Sequence, residues 1–232
     1  NHSGEHARMG AVDVVPFIPI SNVSMSECVN LSVLYAQRAS EEFGLPVFLY
    51  AESARDEERV RLPDIRRGEY EGLTDKFADP AWRPDYGPAA FMPKMGATAS
   101  GARNILIAYN VNLDTADKGS ANKIAGKLRT SGVLKKDARG EKIIGTDGKP
   151  ERIPGRFKSL QAAGWMYNDD TAQVSMNLLD YSTTGLHSVT EAIRCEASDM
   201  GLKVTAGELV GLLPLNAMID AGRLYHENPD DA

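Results

Sequence analysis

Ser24-Met25-Ser26-Glu27 is a capping box set between two short apolar runs, and it constrains the fold more than any other stretch of the chain. The Ser24 oxygen is placed to accept the orphan amide of the third helical residue, while Glu27 reaches back to the Ser24 amide. Met25, Cys28, Val29, Ala36, Ala39 and Phe43 follow at helical spacing, and Gly44 with Pro46 supplies the stop. Ahead of that helix, Val12, Val14, Val15, Phe17 and Ile18 crowd into Ala11–Ile20, a buried strand closed by Pro16 and Pro19. Behind it, Val47–Ala51 reads as a second buried strand. Strand, helix and strand joined by such short turns is α/β grammar.

Residues 53–101 break the pattern. Many charges give way to Pro80, Pro84, Pro88 and Pro93 with Gly87, Gly96 and Gly101, a composition that opposes both helix and sheet. Long connections of this kind are binding loops or lids. A second unit is expected from Ala102. Its strand Asn104–Leu113 leads to a helix over Ala116–Leu128, then a hairpin Lys158–Asn168 and Ala172–Tyr181 turning at Asp169-Asp170. Ala172, Val174, Met176 and Leu178 alternate with Gln173, Ser175 and Asn177, so one face is apolar and the other rich in hydrogen-bonding groups. That polar face either meets solvent or lines an internal channel. A helix marked by Leu186, Val189, Ile193, Ala197 and Met200, a strand Leu202–Glu208 and a last helix from Pro214 to about Tyr225 complete the order β-α-β-β-α-β. The expected class is α/β (α+β) with two lobes, residues 1–101 and 102–232.

The chain carries 26 Lys and Arg against 32 Asp and Glu, a net charge of −6, which argues against nucleic acid and anionic membrane partners. No apolar run approaches the roughly 20 residues of a membrane helix, and the polar start is no signal peptide. The start also lacks an initiator Met, so a processed chain, or one cut from something longer, is expected. Two distant cysteines, Cys28 and Cys195, form neither a disulfide framework nor a metal cluster, and a cytoplasmic location is the simpler expectation.

Among four histidines, His6 stands in Gly4-Glu5-His6-Ala7-Arg8-Met9-Gly10, just before a buried strand, and imidazole suits proton transfer near neutrality. His2 and His6 have i, i+4 spacing but no third ligand, so no metal is expected. His187 and His226 read as structural or exposed. Cys28 lies on the apolar face of its helix and reads as core. Gly87-Pro88-Ala89-Ala90-Phe91-Met92-Pro93-Lys94-Met95-Gly96 is the best binding-loop candidate: its glycines allow close backbone approach, and Phe91 and Met92 offer apolar surface to a ring. Arg8, Arg55, Arg66 and Arg103 are candidates to grip carboxylates. Residues 131–156 are basic and read either as a solvated insertion or as a dock for a polyanionic tail.

GEHARMGAVDV at 4–14, YAESAR at 50–55, LPDIRRGEYEGL at 62–73 and GPAAFMPKMGATASGAR at 87–103 closely resemble the glutamate formiminotransferases. QAAGWMYNDDTAQVSMNLLDY at 161–181 and LVGLLPLNA at 209–217 extend the likeness across nearly the whole chain. The resemblance implies two ferredoxin-like lobes with facing sheets, outer helices and a folate tunnel between. It implies transfer of a formimino group from N-formimino-L-glutamate to N5 of tetrahydrofolate in histidine breakdown, in a homodimer and with no metal. It puts the catalytic histidine on His6 and folate binding on Gly87–Gly96. Arg8 is then a candidate for a substrate carboxylate, and Tyr50 and Glu52 for orienting His6 or the amidine. Ala7 stands where the family motif has proline, and the stretch 131–156 is longer than in mammalian forms. The family's opening β-α-β-β-α stretch and the cyclodeaminase domain fused in animal homologues have no counterpart in this sequence, so the first lobe is expected to be truncated and no deaminase activity is expected. The alternatives are a homologue acting on 5-formyltetrahydrofolate and a non-catalytic folate-binding or dimerising fragment.

Overall fold

A computed structural model describes residues 7–227. The chain divides into two compact units, residues 1–104 and 105–232.

In the first unit, β1 (Val14–Phe17) leads to α1 (Met25–Phe43) and β2 (Val47–Ala51). The capping box forms as the sequence requires: Ser24 Oγ accepts the Glu27 amide at 3.2 Å, and Glu27 Oε2 accepts the Ser24 amide at 2.8 Å. At the far end Gly44 takes φ 65° and its amide caps Ser40 O. Two short helices, α2 (Leu62–Ile65) and α3 (Leu73–Ala78), and 3₁₀ turns at Glu57–Arg59 and Pro80–Trp82 follow.

The chain then returns as β3 (Thr98–Ala102), which inserts between its predecessors to give a parallel sheet in the order β1-β3-β2. This corrects the reading of 53–101 as connection throughout. Beyond Thr98, TASGA lacks the branched and aromatic residues that mark strands, because every residue of β3 is buried between crowded neighbours. A Cβ on Gly101 would stand 2.2 Å from Tyr50 O, so nothing larger fits there. The first strand is also shorter than the apolar run that announces it. Val47 and Leu49 face Ala36 and Ala39 of α1. Phe48 and Tyr50 point to the opposite face, where Ile65, Leu73 and Met9 cover them. Each such fully buried side chain contributes roughly 1.5–3 kcal/mol of transfer free energy.

The irregular stretch between β2 and β3 is pinned by a buried ion pair. Arg59 Nη1 meets Asp85 Oδ2 at 3.0 Å with side chains only 9% and 5% exposed. The same carboxylate oxygen accepts the Leu49 amide of β2 at 2.9 Å, and Arg59 also donates to Ala81 O at 2.7 Å.

The second unit runs β4 (Ile107–Leu113), α4 (Lys118–Leu128), a ribbon of β5 (Val133–Leu134) with β6 (Arg152–Ile153), then β7 (Leu160–Asn168), β8 (Thr171–Leu178), α5 (Leu186–Asp199), β9 (Val204–Val210) and α6 (Leu215–Glu227). The main sheet is antiparallel, ordered β7-β8-β4-β9. Val174, Met176 and Leu178 join Ile107, Val111, Ile124, Leu128, Val189 and Ile193 in one core. Cys28 is buried, as its place on α1 suggests, and Cys195 is exposed; both are free. No helix among the described residues is long and apolar enough to cross a membrane.

Candidate functional site

His6 lies outside the described residues, but residues 7–10 of its motif are fixed on three sides. Met9 is fully buried, and its amide donates to Asp13 Oδ1 at 2.7 Å. Asp13 Oδ2 is ion-paired with Arg66. The motif backbone zips against the end of the Pro/Gly loop: the Ala11 amide bonds Met95 O at 3.0 Å and the Ala97 amide bonds Met9 O at 3.1 Å. This approach requires glycine at its crossing point, since Gly96 adopts φ 68° and a Cβ there would stand 2.1 Å from Met9 O. The histidine motif and the loop Gly87–Gly96, separate in sequence, are therefore adjacent.

Arg8 points to the third side. Its Nη1 and Nη2 donate to the two carboxylate oxygens of Glu71 at 2.8 and 2.6 Å, and its guanidinium stacks on the Tyr70 ring at 5.1 Å. Glu71 raises the Arg8 pKa further above its ordinary value. The Tyr70 amide bonds Arg8 O at 2.9 Å, and the Tyr70 hydroxyl donates to Pro93 O at 2.6 Å. Tyr70 also lies 5.2 Å from the Phe91 ring, so one tyrosine braces both the histidine motif and the loop. Phe91 and most of its loop are exposed. Tyr70 and Glu71 carry no sequence signal of their own role; their partners lie 23 and 63 positions away.

Other expected residues take different places. Tyr50 is buried, 3% exposed, and packs in the core. Burial pushes its phenol up, opposed by the adjacent Arg103 and by Arg66. Glu52 is exposed just past β2, where its amide bonds Ala102 O. Its neighbour Ser53 is buried, accepting the Ala102 amide and meeting Ser32 Oγ at 2.7 Å, which locks the turn that carries Glu52. Arg55 donates to the Tyr86 hydroxyl at 2.8 Å. Lys76 donates to Ile65 O, sits 4.5 Å above the Trp82 ring, and is pushed down to about 8 by burial, with Arg67 adding to the effect. His187 packs edge-on against Tyr225, and His226 is exposed.

The second unit presents the polar sheet face read from the hairpin alternation. Asn110 donates to Glu208 at 3.0 Å, and Gln173 donates to Asn112 at 2.8 Å. Register puts Ser175 opposite Asn110 and Trp165 opposite Gln173 on this face. Gln173 is buried, although its neighbours on the face are half-buried. In the basic stretch 131–156 the acids serve local structure. Asp137 and Asp147 cap turns, and Glu151 pairs with Lys135 at 2.8 Å. Lys136 and Lys142 pair in an isolated antiparallel bridge beyond the ribbon. Among the described residues no cluster of three or more His, Cys, Asp or Glu could hold a metal ion.

Two family models match the chain. "Formiminotransferase domain, N-terminal subdomain" covers residues 1–103, and "Formiminotransferase domain" covers residues 108–231. The glutamate formimidoyltransferase of Streptococcus pyogenes serotype M1 is 40% identical over 230 residues, 99% of this chain and 70% of that protein. The formimidoyltransferase-cyclodeaminases of Gallus gallus and Sus scrofa are 48% and 46% identical over 97% of this chain. The chain spans only 38% and 39% of those two proteins.

Proposed function

The chain belongs to the formiminotransferase family, and on that premise we propose that it transfers a formimino group from N-formimino-L-glutamate to N5 of tetrahydrofolate, releasing glutamate in histidine degradation. The observation that carries this reading is the junction of the histidine motif with the Gly87–Gly96 loop, closed by Gly96 and braced by Tyr70.

The chemistry asks for one proton acceptor that later becomes a donor. The N5 amine attacks the formimino carbon and forms the new C–N bond, and its proton passes to the His6 imidazole. The bond to the glutamate nitrogen then breaks, and the imidazolium returns the proton to the departing amine. Such a shuttle typically contributes about 10²–10⁴-fold. The rest of the acceleration comes from holding two reactants in one orientation. Tyr70 and Phe91 suit a flat bicyclic ring: both present aromatic surface beside exposed loop backbone. Glu52, exposed at a strand end, is available to orient the amidine. Tyr50 is buried in the core beside Arg103, so a part in orienting His6 or the amidine would be indirect.

A cytoplasmic homodimer belongs to the same reading. The exposed edge strand β9, with Leu212, Leu215 and Met218 exposed beyond it, supports self-association.

The test is formimino transfer to tetrahydrofolate by the unmodified chain and by His6→Ala. Turnover is expected to fall by about 10²-fold or more in the variant while folate affinity holds. Equal turnover in both would overturn His6 as the shuttle, and no turnover by the unmodified chain would overturn the transferase reading.

A further inference from the structure

We propose that Arg129 and Arg152 form a seat for a phosphate group, free or carried on a small ligand, where the basic stretch leaves the end of α4. The seat lies within the second unit and stands or falls independently of the transferase reading.

The backbone brings the two arginines together. α4 ends at Leu128, and the chain turns at once through Gly132, which takes φ 56°. A Cβ there would stand 1.8 Å from Ile153 O, and one on Gly155 would stand 2.1 Å from Arg129 O. Two glycines thus let the returning strand β6 crowd against the turn it started from. Arg129 Nε and Arg152 Nη2 then donate to one shared oxygen, Gly132 O, at 2.9 and 3.0 Å. Arg129 Nη1 also reaches Ala162 O of β7 at 3.3 Å, and Arg152 Nε reaches Ser131 O at 2.5 Å.

All of these acceptors are backbone carbonyls, so two cations meet with no carboxylate between them. Burial, with Arg152 adding to the effect, pushes the Arg129 guanidinium down. The acids of the region are engaged elsewhere. Glu151 pairs with Lys135, Asp137 with Arg139 and Glu196 with Lys127, while Asp147 accepts the Lys149 amide. Arg156, set over the Phe157 ring at 5.4 Å, adds a third cation close by in the chain. The negative end of the α4 dipole is worth roughly half a charge and offsets only part of this.

The open donors select the anion. Arg129 Nη2 and Arg152 Nη1 have no hydrogen bond among the described residues. The Arg152 side chain is exposed, and Arg129 Nη2 is not sealed from water. Both guanidinium groups are therefore fixed along their inner edges and free at their outer ends. A carboxylate has oxygens for one such fork, whereas a phosphate group has enough for two. Binding relieves the repulsion between the arginines and costs little ordering, because both side chains are already held.

The experiment is calorimetric titration of sodium phosphate, glycerol 1-phosphate and sodium succinate, at an ionic strength matched with sodium chloride. The proteins are the unmodified chain, Arg152→Gln and Arg152→Lys, each checked by thermal melting; Arg152 is exposed, so neither variant opens the core. Arg152→Gln is expected to bind phosphate about tenfold more weakly, the loss of one charge-assisted contact. Arg152→Lys keeps the charge without the fork and is expected to recover only part of that loss. Binding of both phosphate compounds supports a seat for the group itself, and binding of glycerol 1-phosphate alone supports a phosphorylated ligand. Binding of neither, or equal phosphate binding by Arg152→Gln, would overturn the seat and leave the arginines as struts of the turn. Succinate binding as tight as phosphate binding would overturn the choice of anion.

Discussion

Replacing Asp85 with alanine tests how the irregular stretch before the Gly87–Gly96 loop is held. The substitution leaves the Arg59 cation 9% exposed with no counter-charge, stacked over Phe48 and Trp82 at 5.5 and 5.8 Å. It also takes the acceptor from the amide of Leu49, a fully buried residue. Removing one partner of a buried pair costs about 3–5 kcal/mol, since the other charge stays in low dielectric. For a unit of roughly 100 residues, each kcal/mol lowers the melting temperature by about 4 °C or more, so a fall of at least about 12 °C is expected. Asp85→Asn keeps an acceptor for Leu49 and should recover about 1–2 kcal/mol. Arg59→Met with Asp85→Asn removes both charges and should come close to the unmodified chain. The chain has two tryptophans, and Trp82 touches the pair while Trp165 lies in the other unit. Denaturant unfolding followed by fluorescence in a Trp165→Phe background therefore reports on the pair's own unit. A loss below about 1 kcal/mol for Asp85→Ala, the scale of a solvated pair, would refute the reasoning, because it would mean that water reaches the site.

Lys76 supplies a pH signature. Its pKa is pushed down from 10.5 to about 8, so the unfolded chain binds more protons between those values and stability gains from rising pH across that window. Lys76→Met should remove this slope, read as the difference in denaturation midpoint between the two proteins from pH 8 to 10; parallel curves would refute it. Gly96→Ala forces a Cβ toward Met9 O at a left-handed φ, and a loss of about 2–4 kcal/mol is expected from the strain and the displaced contact. A denaturant midpoint equal to that of the unmodified chain would show that the loop and the histidine motif are not tightly joined.

Local signals account for what was legible in the sequence. The α1 boundaries follow from a capping box and a left-handed Gly44, features contained within a few residues. The β8 alternation is equally local, and Val174, Met176 and Leu178 face the core as their period demands. Long-range causes were not legible. β3 is small-residue strand because of what presses on it, and nothing in TASGA itself says so. Tyr50 reads as a site residue at a strand end, yet Val47–Ala51 is apolar on both faces, so its period cannot tell which side Tyr50 joins. The loop was legible from its glycines and prolines; Tyr70, which braces it, was not.

The order of the first sheet bears on how the protein is made. β1 and β2 flank a vacancy until β3, the central strand, emerges after the whole 52–97 segment. Neither flank pairs with the other, so the edges of β1 and β2 that face β3 stay unpaired until it emerges. Closing that gap requires long-range parallel pairing, which is slow. The second unit's hairpin β7–β8 needs only its own turn. The first unit thus has no strand pair that a turn alone can form, and the inner edges of β1 and β2 are the ones that need shielding from aggregation until β3 arrives.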